Sequence, residues 1–260
     1  MCCFPTYTAA VKYSNLQDIS NITPYNDKDK SKKGQVEEMF DNIAPQYDFL
    51  NHFLSLGIDK LWRKRAVKMI AATKARVILD VATGTGDLAV ALAKLQPEKI
   101  IGYDLSELML SVGRDKVKQK GLEKIISMQK GDSENMPFDN NTFDAVTVAF
   151  GVRNFENTQR GIDEMYRVLK PGGTLLVLEF SKPKFFPVKQ VFYFYFHFIL
   201  PVVGRFFSKD KRAYSYLPES VASFPEGTAF LAMLAQAGFK NRECRTLSFG
   251  ISSIYTGQKP

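Results

Sequence analysis

The chain has 260 residues, 45% hydrophobic and 24% charged, which excludes wholesale disorder or a fibre and suits one α/β domain with decorations. Thirty-five Lys and Arg against 27 Asp and Glu leave +8, compatible with an anionic partner (nucleic acid, a membrane surface or a phosphorylated ligand) without choosing among them. Cys2, Cys3 and Cys244 are too few and too badly spaced for a disulfide framework or a four-ligand zinc site, and no 18-residue apolar run is present.

Residues 1–32 mix Asn, Ser, Thr, Pro and Tyr without periodicity and read as a poorly ordered tail. The tail lacks the basic-then-apolar pattern of a secretory signal. With Asp18, Asp27 and Asp29 ahead of the first arginine, Arg63, it does not look like a mitochondrial transit peptide either. The expectation is a cytoplasmic protein in a prokaryotic setting. From residue 33 to 72, Val36, Met39, Phe40 and Ile43, then Leu61, Ala66, Met69 and Ile70, fall at helical spacing interrupted by Pro45 and Gly57, predicting a cap of two or three helices.

A strand-helix alternation follows: strand Arg76–Ala82, helix Asp87–Leu95, strand Ile100–Asp104, helix Glu107–Gln119, strands Ile125–Lys130 and Ala145–Phe150, helix Gln159–Leu169, strand Thr174–Glu179. This alternation means a parallel sheet, in which a ligand sits beyond the carboxyl ends of the strands. Residues 182–222 break the rhythm with a Phe-, Tyr- and Lys-rich insertion. Helix Thr228–Ala237 and strands Phe239–Leu247 and Ile251–Gly257, hinged at Gly250, close the chain as an antiparallel hairpin. Residues 33–260 therefore read as one domain.

Val77-Ile78-Leu79-Asp80-Val81-Ala82-Thr83-Gly84-Thr85-Gly86-Asp87 runs a strand into a glycine turn that opens a helix. The glycines allow close approach of a ligand, and the helix start offers free N–H donors. Asp104 ends the next strand, where a carboxylate can take both hydroxyls of a ribose. Gly84-x-Gly86-x-x-Ala89 also fits a dinucleotide fingerprint, and Tyr166-x-x-x-Lys170 copies a spacing of short-chain dehydrogenases, which keeps an NAD(P)-dependent reductase as an alternative. Lys170 runs into Pro171-Gly172-Gly173, placing that pair in the last turn of a helix rather than beside a substrate. Structural explanations exist for each residue alone: a tight connection for the glycine turn, a helix cap for Asp104, a turn for Asp132.

The order Asp80, the glycine turn at Gly84, Thr85 and Gly86, then Asp104, then Gly131-Asp132-Ser133 resembles the class I S-adenosylmethionine-dependent methyltransferases, a Rossmann-like fold with a mostly parallel sheet and a C-terminal antiparallel hairpin. That resemblance implies Asp80 at the methionyl end of the cofactor, Asp104 at its ribose and Asp132 at its adenine. Tyr47-Asp48-Phe49-Leu50-Asn51 with Ser55, Asp59 and Trp62 resembles the first signature of the UbiE/COQ5 quinone-biosynthesis C-methyltransferases, departing at Leu50, where the family has Met, and at Asp59, where it has His. Arg167 to Ser181 resembles the second signature throughout. Phe150-Gly151-Val152-Arg153-Asn154 and Gly131 to Phe138 resemble two further family elements.

The resemblance implies methyl transfer from S-adenosylmethionine to a ring carbon of a polyprenylated hydroquinone, 2-demethylmenaquinol or its benzoquinol counterpart. Such a transfer needs in-line orientation and an ionised phenol. Arg153 and Asn154 at a strand end would stabilise the phenolate, and Tyr47 would complete the pocket. His52 and His197 read as packing or surface residues, and no metal is needed. Lys182 to Arg212 carries seven basic residues and one acid around the aromatic run Val191–Val203, too short to span a bilayer. It fits peripheral contact with a membrane or lipid tail, at the inner face of the cytoplasmic membrane; a buried helix against the sheet edge or a second subunit of a homodimer is the alternative. A non-catalytic RNA- or lipid-binding module is the remaining class, and nucleic acid is not the expected partner.

Overall fold

In the computed structural model, which describes residues 22–199, 202 and 210–260, seven strands form one sheet in the order β3-β2-β1-β4-β5-β7-β6. They are β1 (Val77–Val81), β2 (Lys99–Asp104), β3 (Ile126–Lys130), β4 (Phe143–Ala149), β5 (Leu169–Phe180), β6 (Lys240–Leu247) and β7 (Ser252–Gln258). Strands β1 to β5 pair in parallel, while β7 lies antiparallel to both β5 and β6. The expected terminal hairpin is present, but its second strand enters between β5 and β6 instead of extending the edge.

The parallel strands are apolar on both sides because helices cover both faces. On one face α3 (Ile58–Ala71), α4 (Asp87–Leu92) and α5 (Glu107–Gln119) bury Trp62, Ala66, Leu88, Leu92 and Leu110 against Ile78, Ile100 and Leu176. On the other, α6 (Thr158–Val168) and α9 (Thr228–Gln236) bury Ile162, Met165, Phe230 and Leu234 against Leu79, Val146 and Val177. Helix starts are set by side-chain caps: Ser106 Oγ accepts from Met109 N at 3.1 Å and Asn157 Oδ1 from Arg160 N at 3.0 Å.

A third cluster sits over the carboxyl ends of the strands. Helices α1 (Lys32–Ile43), α2 (Tyr47–Leu54) and α8 (Lys211–Ser223) contribute Val36, Met39, Ile43, Leu50, Ala213 and Tyr216, which pack with Met109 of α5. The described part of the leader joins them: Gln35 Oε1 accepts from Tyr25 N at 3.0 Å, and the Tyr25 hydroxyl donates to Asp210. Residues 22–31 are thus tied to the cap, which narrows the expected loose tail; residues 1–21 lie outside the described residues. In the insertion, α7 (Val188–Phe194) continues as a π-turn over Tyr195–Ile199. Among the described residues no helix is long and apolar enough to cross a membrane.

Candidate active site

The turn after β1 is built by glycine. Gly86 has φ +79°, a left-handed conformation that strains any residue with a side chain, and a Cβ there would also displace the Met128 side-chain tip. Gly84, at φ +55°, offers its N–H to Asp104 Oδ2 at 2.8 Å, while Asp104 Oδ1 accepts from Ser106 N at 2.9 Å. Each carboxylate oxygen keeps a further lone pair, and Asp104 faces a crevice that Gly84, Asp132 and Ser133 also line. Burial raises Asp104 above the ordinary carboxylate range, against the pull of those backbone donors.

Three of the expected cofactor residues stand elsewhere. Asp80 is 1% exposed beneath the turn, where its oxygens accept from Thr83 Oγ1 at 2.6 Å and Thr147 Oγ1 at 2.7 Å; burial pushes its pKa up to about 6. Thr85 turns its hydroxyl away from the crevice to donate to Asp48 of α2, and Gly86 shapes the turn without lining the crevice. Conversely, Lys33 of α1, which the sequence did not single out, reaches across to ion-pair with Asp132, and Met109 and Leu105 supply apolar walls. These walls and hydrogen-bonding carboxylates suit a nucleoside with a ribose and a flat base.

The cap is fastened to this turn by a charge cluster. Asp59, 4% exposed, accepts from Ser55 Oγ at 2.6 Å, meets His52 Nδ1 at 2.8 Å and pairs with Arg63. Burial works to raise its pKa, but the Ser55 hydrogen bond and the Arg63 charge prevail and hold it low. Lys116 bridges Asp48 and Asp87 at 2.6 Å each. His52 is therefore a cluster member rather than a plain packing residue, and Asp59, at the family's His position, is its partner. His52, Asp59 and Asp87 bring ligand-type atoms within 4.8 Å, but Arg63 and Lys116 already bind the carboxylates, so the group reads as an ionic brace.

Beside the crevice lies a cavity of about 460 Å³, walled by Met39, Leu50, Trp62, Phe180, Phe192 and Phe196 among others. The two spaces share Phe40, Tyr47, Phe150 and Asn154, so the expected Tyr47 and Asn154 stand at their junction. Phe150 follows the end of β4 at φ +60°, held by its N–H to Leu178 O at 2.8 Å and by the Phe180 ring at 4.7 Å. A bulky residue in this left-handed region is strained, and such strain marks functional positions.

Arg153, also expected, lines the cavity 7% exposed and binds Glu179, which is fully buried, at 2.9 Å. Burial raises Glu179 above its ordinary range while the guanidinium draws it down. The remaining Arg153 Nε and Asn154 Oδ1 are buried with no hydrogen-bond partner among the described residues. The sequence quoted Glu179 only within a signature, and nothing in its spacing signals the pair. Tyr166 and Lys170 stand away from that rim: Lys170 is the second residue of β5, at its amino end, not in the last turn of α6, and pairs with Asp144 at 2.7 Å.

Comparison with known proteins places this geometry. Demethylmenaquinone methyltransferase of Bacteroides fragilis is 50% identical over 239 residues, 92% of this chain and 97% of that protein. The Porphyromonas gingivalis protein of the same name is 44% identical over 94% of this chain and 100% of its own length. The ubiquinone/menaquinone biosynthesis C-methyltransferase UbiE of Geotalea daltonii is 48% identical over 88% and 98%. Among solved structures, an S-adenosylmethionine-dependent methyltransferase from Aquifex aeolicus superposes with TM-score 0.52 at 20% identity, covering 71% of this chain and 82% of that one, a likeness of fold. The fold is thus the class I methyltransferase fold that the strand order expresses. Residues 28–259 match the ubiE/COQ5 methyltransferase family, and the chain belongs to it.

Proposed function

We propose that the protein methylates a ring carbon of a polyprenylated hydroquinone, converting 2-demethylmenaquinol to menaquinol, with S-adenosylmethionine as donor. The observation that carries this reading is the meeting of a carboxylate-lined crevice with a large apolar cavity at Tyr47, Phe150 and Asn154. When bound, S-adenosylmethionine supplies an electrophilic methyl on a sulfonium. Gly84, Asp104, Asp132 and Ser133 would hold the donor, with Asp80 and the Gly86 turn setting their positions.

The acceptor ring lies at the junction with its prenyl chain along Leu50, Phe192 and Phe196. Its phenol loses a proton, which makes the neighbouring carbon nucleophilic; that carbon forms the new bond as the sulfur–methyl bond breaks. The ring then sheds its own proton to regain aromaticity as the phenolic oxygen takes one back, so methylated quinol, S-adenosylhomocysteine and one proton result. Arg153 Nε and Asn154 Oδ1, buried and unpartnered, are available to the phenolic oxygen. Arg153 is too basic to take the proton; it stabilises the charge that the proton leaves behind. The apolar walls keep water from the methyl group.

The benzoquinol of ubiquinone synthesis is the second acceptor that the relatives' names allow. The naphthoquinol is preferred because the Bacteroides fragilis relative, 50% identical to this chain, is named for demethylmenaquinone alone.

The insertion supports a peripheral membrane site on the inner face of the cytoplasmic membrane. Phe192 and Phe196 turn into the cavity, while Phe185 (73% exposed), Phe186 (82%), Phe194 and Phe198 face solvent beside Lys184 and Lys189. Each basic side chain near anionic lipid adds about 1 kcal/mol. A second copy on the same face is the competing occupant, and it would appear as concentration-dependent dimerisation in light scattering. The test of function is incubation with S-adenosylmethionine and each demethylated quinol. Methylated menaquinol is expected, and binding of the donor without transfer to either quinol would overturn the reading.

A further inference from the structure

The cavity wall carries one more polar group that neither the signatures nor the mechanism above uses. Tyr216, on α8, is 2% exposed, and its hydroxyl oxygen is buried with no hydrogen-bond partner among the described residues. The ring belongs to the cap cluster with Met39, Ile43 and Leu50, and the side chain lines the same cavity as Arg153 and Asn154. Helix α8 packs directly on the 3₁₀ turn Val152–Asn154 and on α1. Buried hydroxyls are almost always paired, so an orphan on a cavity wall points to a partner that arrives with the ligand.

The orphans on these three neighbours are complementary: Asn154 Oδ1 accepts, Arg153 Nε–H donates, and the Tyr216 hydroxyl can donate. A phenolic hydroxyl satisfies both kinds at once, giving its hydrogen to an acceptor and taking hydrogens on its oxygen. Resting on the hydroquinone reading above, we propose that Tyr216 is an acceptor-binding residue whose hydroxyl donates a hydrogen bond to the ring oxygen that ionises, beside Arg153 and Asn154. The charged groups acting on Tyr216 are Arg153 and Glu179 from the strand ends and Glu219 of its own helix, and the phenol of Tyr47 packs in the same cluster. Burial dominates and, against the lowering pull of Arg153 and with Glu179 and Glu219 adding to the rise, keeps the Tyr216 phenol protonated and hence a donor.

The test is Tyr216→Phe, which removes only the hydroxyl. Since that oxygen has no partner among the described residues, the substrate-free variant should melt at or above the wild-type temperature and bind S-adenosylhomocysteine unchanged. Its kcat/KM for the quinol should fall by about 10- to 100-fold. The rising limb of its pH–rate profile should move alkaline by about one unit, because the bound phenolate has lost a donor. A lower melting temperature would mean that the hydroxyl is bonded within the fold, and the proposal fails. Wild-type kcat/KM and an unmoved pH limb would also overturn it, leaving the functional reading intact. A wild-type protein that binds S-adenosylhomocysteine yet methylates neither quinol would remove that reading and this inference together.

Discussion

Arg153 and Glu179 show how a single pair sets up the acceptor site. Arg153 lies in the turn after β4 and Glu179 near the end of the next strand, β5, and both are nearly water-free. A buried ion pair is weak evidence of net stability, but removing one partner strands the other charge, at a cost of about 3–5 kcal/mol. Arg153→Ala and Glu179→Ala should each lower the unfolding free energy by about that much, and the double variant should lose clearly less than the sum. Additive losses in urea titrations would show the two to be independent. Arg153→Ala should also abolish turnover while leaving S-adenosylhomocysteine affinity intact.

Asp80 gives a residue-level test by pH. Its folded pKa, about 6, lies above the ordinary carboxylate value, so between roughly pH 4 and 6 the native state holds more protons than the unfolded chain. The sign follows: this residue's favourable contribution is complete in acid and is lost as pH rises through 6. Asp80→Asn cannot lose it. The variant's stability relative to wild type should therefore increase by about 2 kcal/mol from pH 4 to pH 7, read from urea midpoints. A difference independent of pH would contradict the assignment. Gly84, Asp104, Asp132, Ser133 and Asn154 could be placed on one rim from the sequence because strand ends in a parallel sheet converge there, whereas Tyr47, on α2, was legible only through the family resemblance. Lys33, Glu179 and Tyr216 could not, because only packing of distant segments brings them there.

At the level of elements, the clearest predictions were those with explicit punctuation. Helix α5 runs from Glu107 to Gln119 as its Ser106 cap, first-turn Glu107 and late Lys116 and Lys118 suggest. Strand β5 departs from expectation, beginning at Leu169 rather than Thr174. Pro171-Gly172-Gly173 reads as a breaker, yet Gly172 N donates to Lys259 O at 2.8 Å and Gly173 O accepts from Lys259 N at 3.0 Å, so the chain terminus extends the ladder through it. The aromatic insertion was legible as amphipathic, but not which face was which. Phe196 is 6% exposed and meets Phe180, whereas Phe194 and Phe198 point outward. Replacing Phe185, Phe186, Phe194 and Phe198 with Ser should weaken sedimentation with anionic liposomes while preserving cofactor binding. Undiminished sedimentation of the folded variant would exclude this face as the membrane contact.

Across the whole molecule, the fold brings two unlike spaces to one edge. The strand ends and glycine turn form the polar one; the cap helices α1 and α2 with α7 and α8 close the apolar one. The ionic brace of Asp48, Asp59, Asp87, Arg63 and Lys116 joins cap to turn, so cofactor binding should stabilise the molecule as one unit. Saturation with S-adenosylhomocysteine at about 100 times its Kd should add about 2.7 kcal/mol and raise Tm by about 5–10 °C in a single transition. Two separate transitions, only one of them shifted, would show cap and sheet to be uncoupled. Strand alternation in the sequence foretold the sheet, but the cap's closure over it depends on long-range pairs such as Lys33 with Asp132 that no local pattern encodes.

The central claim, that the junction of the two spaces delivers a methyl group to an ionised hydroquinone, is tested most directly with isotopically labelled S-adenosylmethionine and demethylmenaquinone supplied in reduced and in oxidised form, the products being resolved by mass. Label should appear on the ring carbon of the reduced acceptor alone, because only the quinol can furnish a phenolate. Equal labelling of the oxidised quinone, or none of either form by protein that binds the donor, would contradict the account.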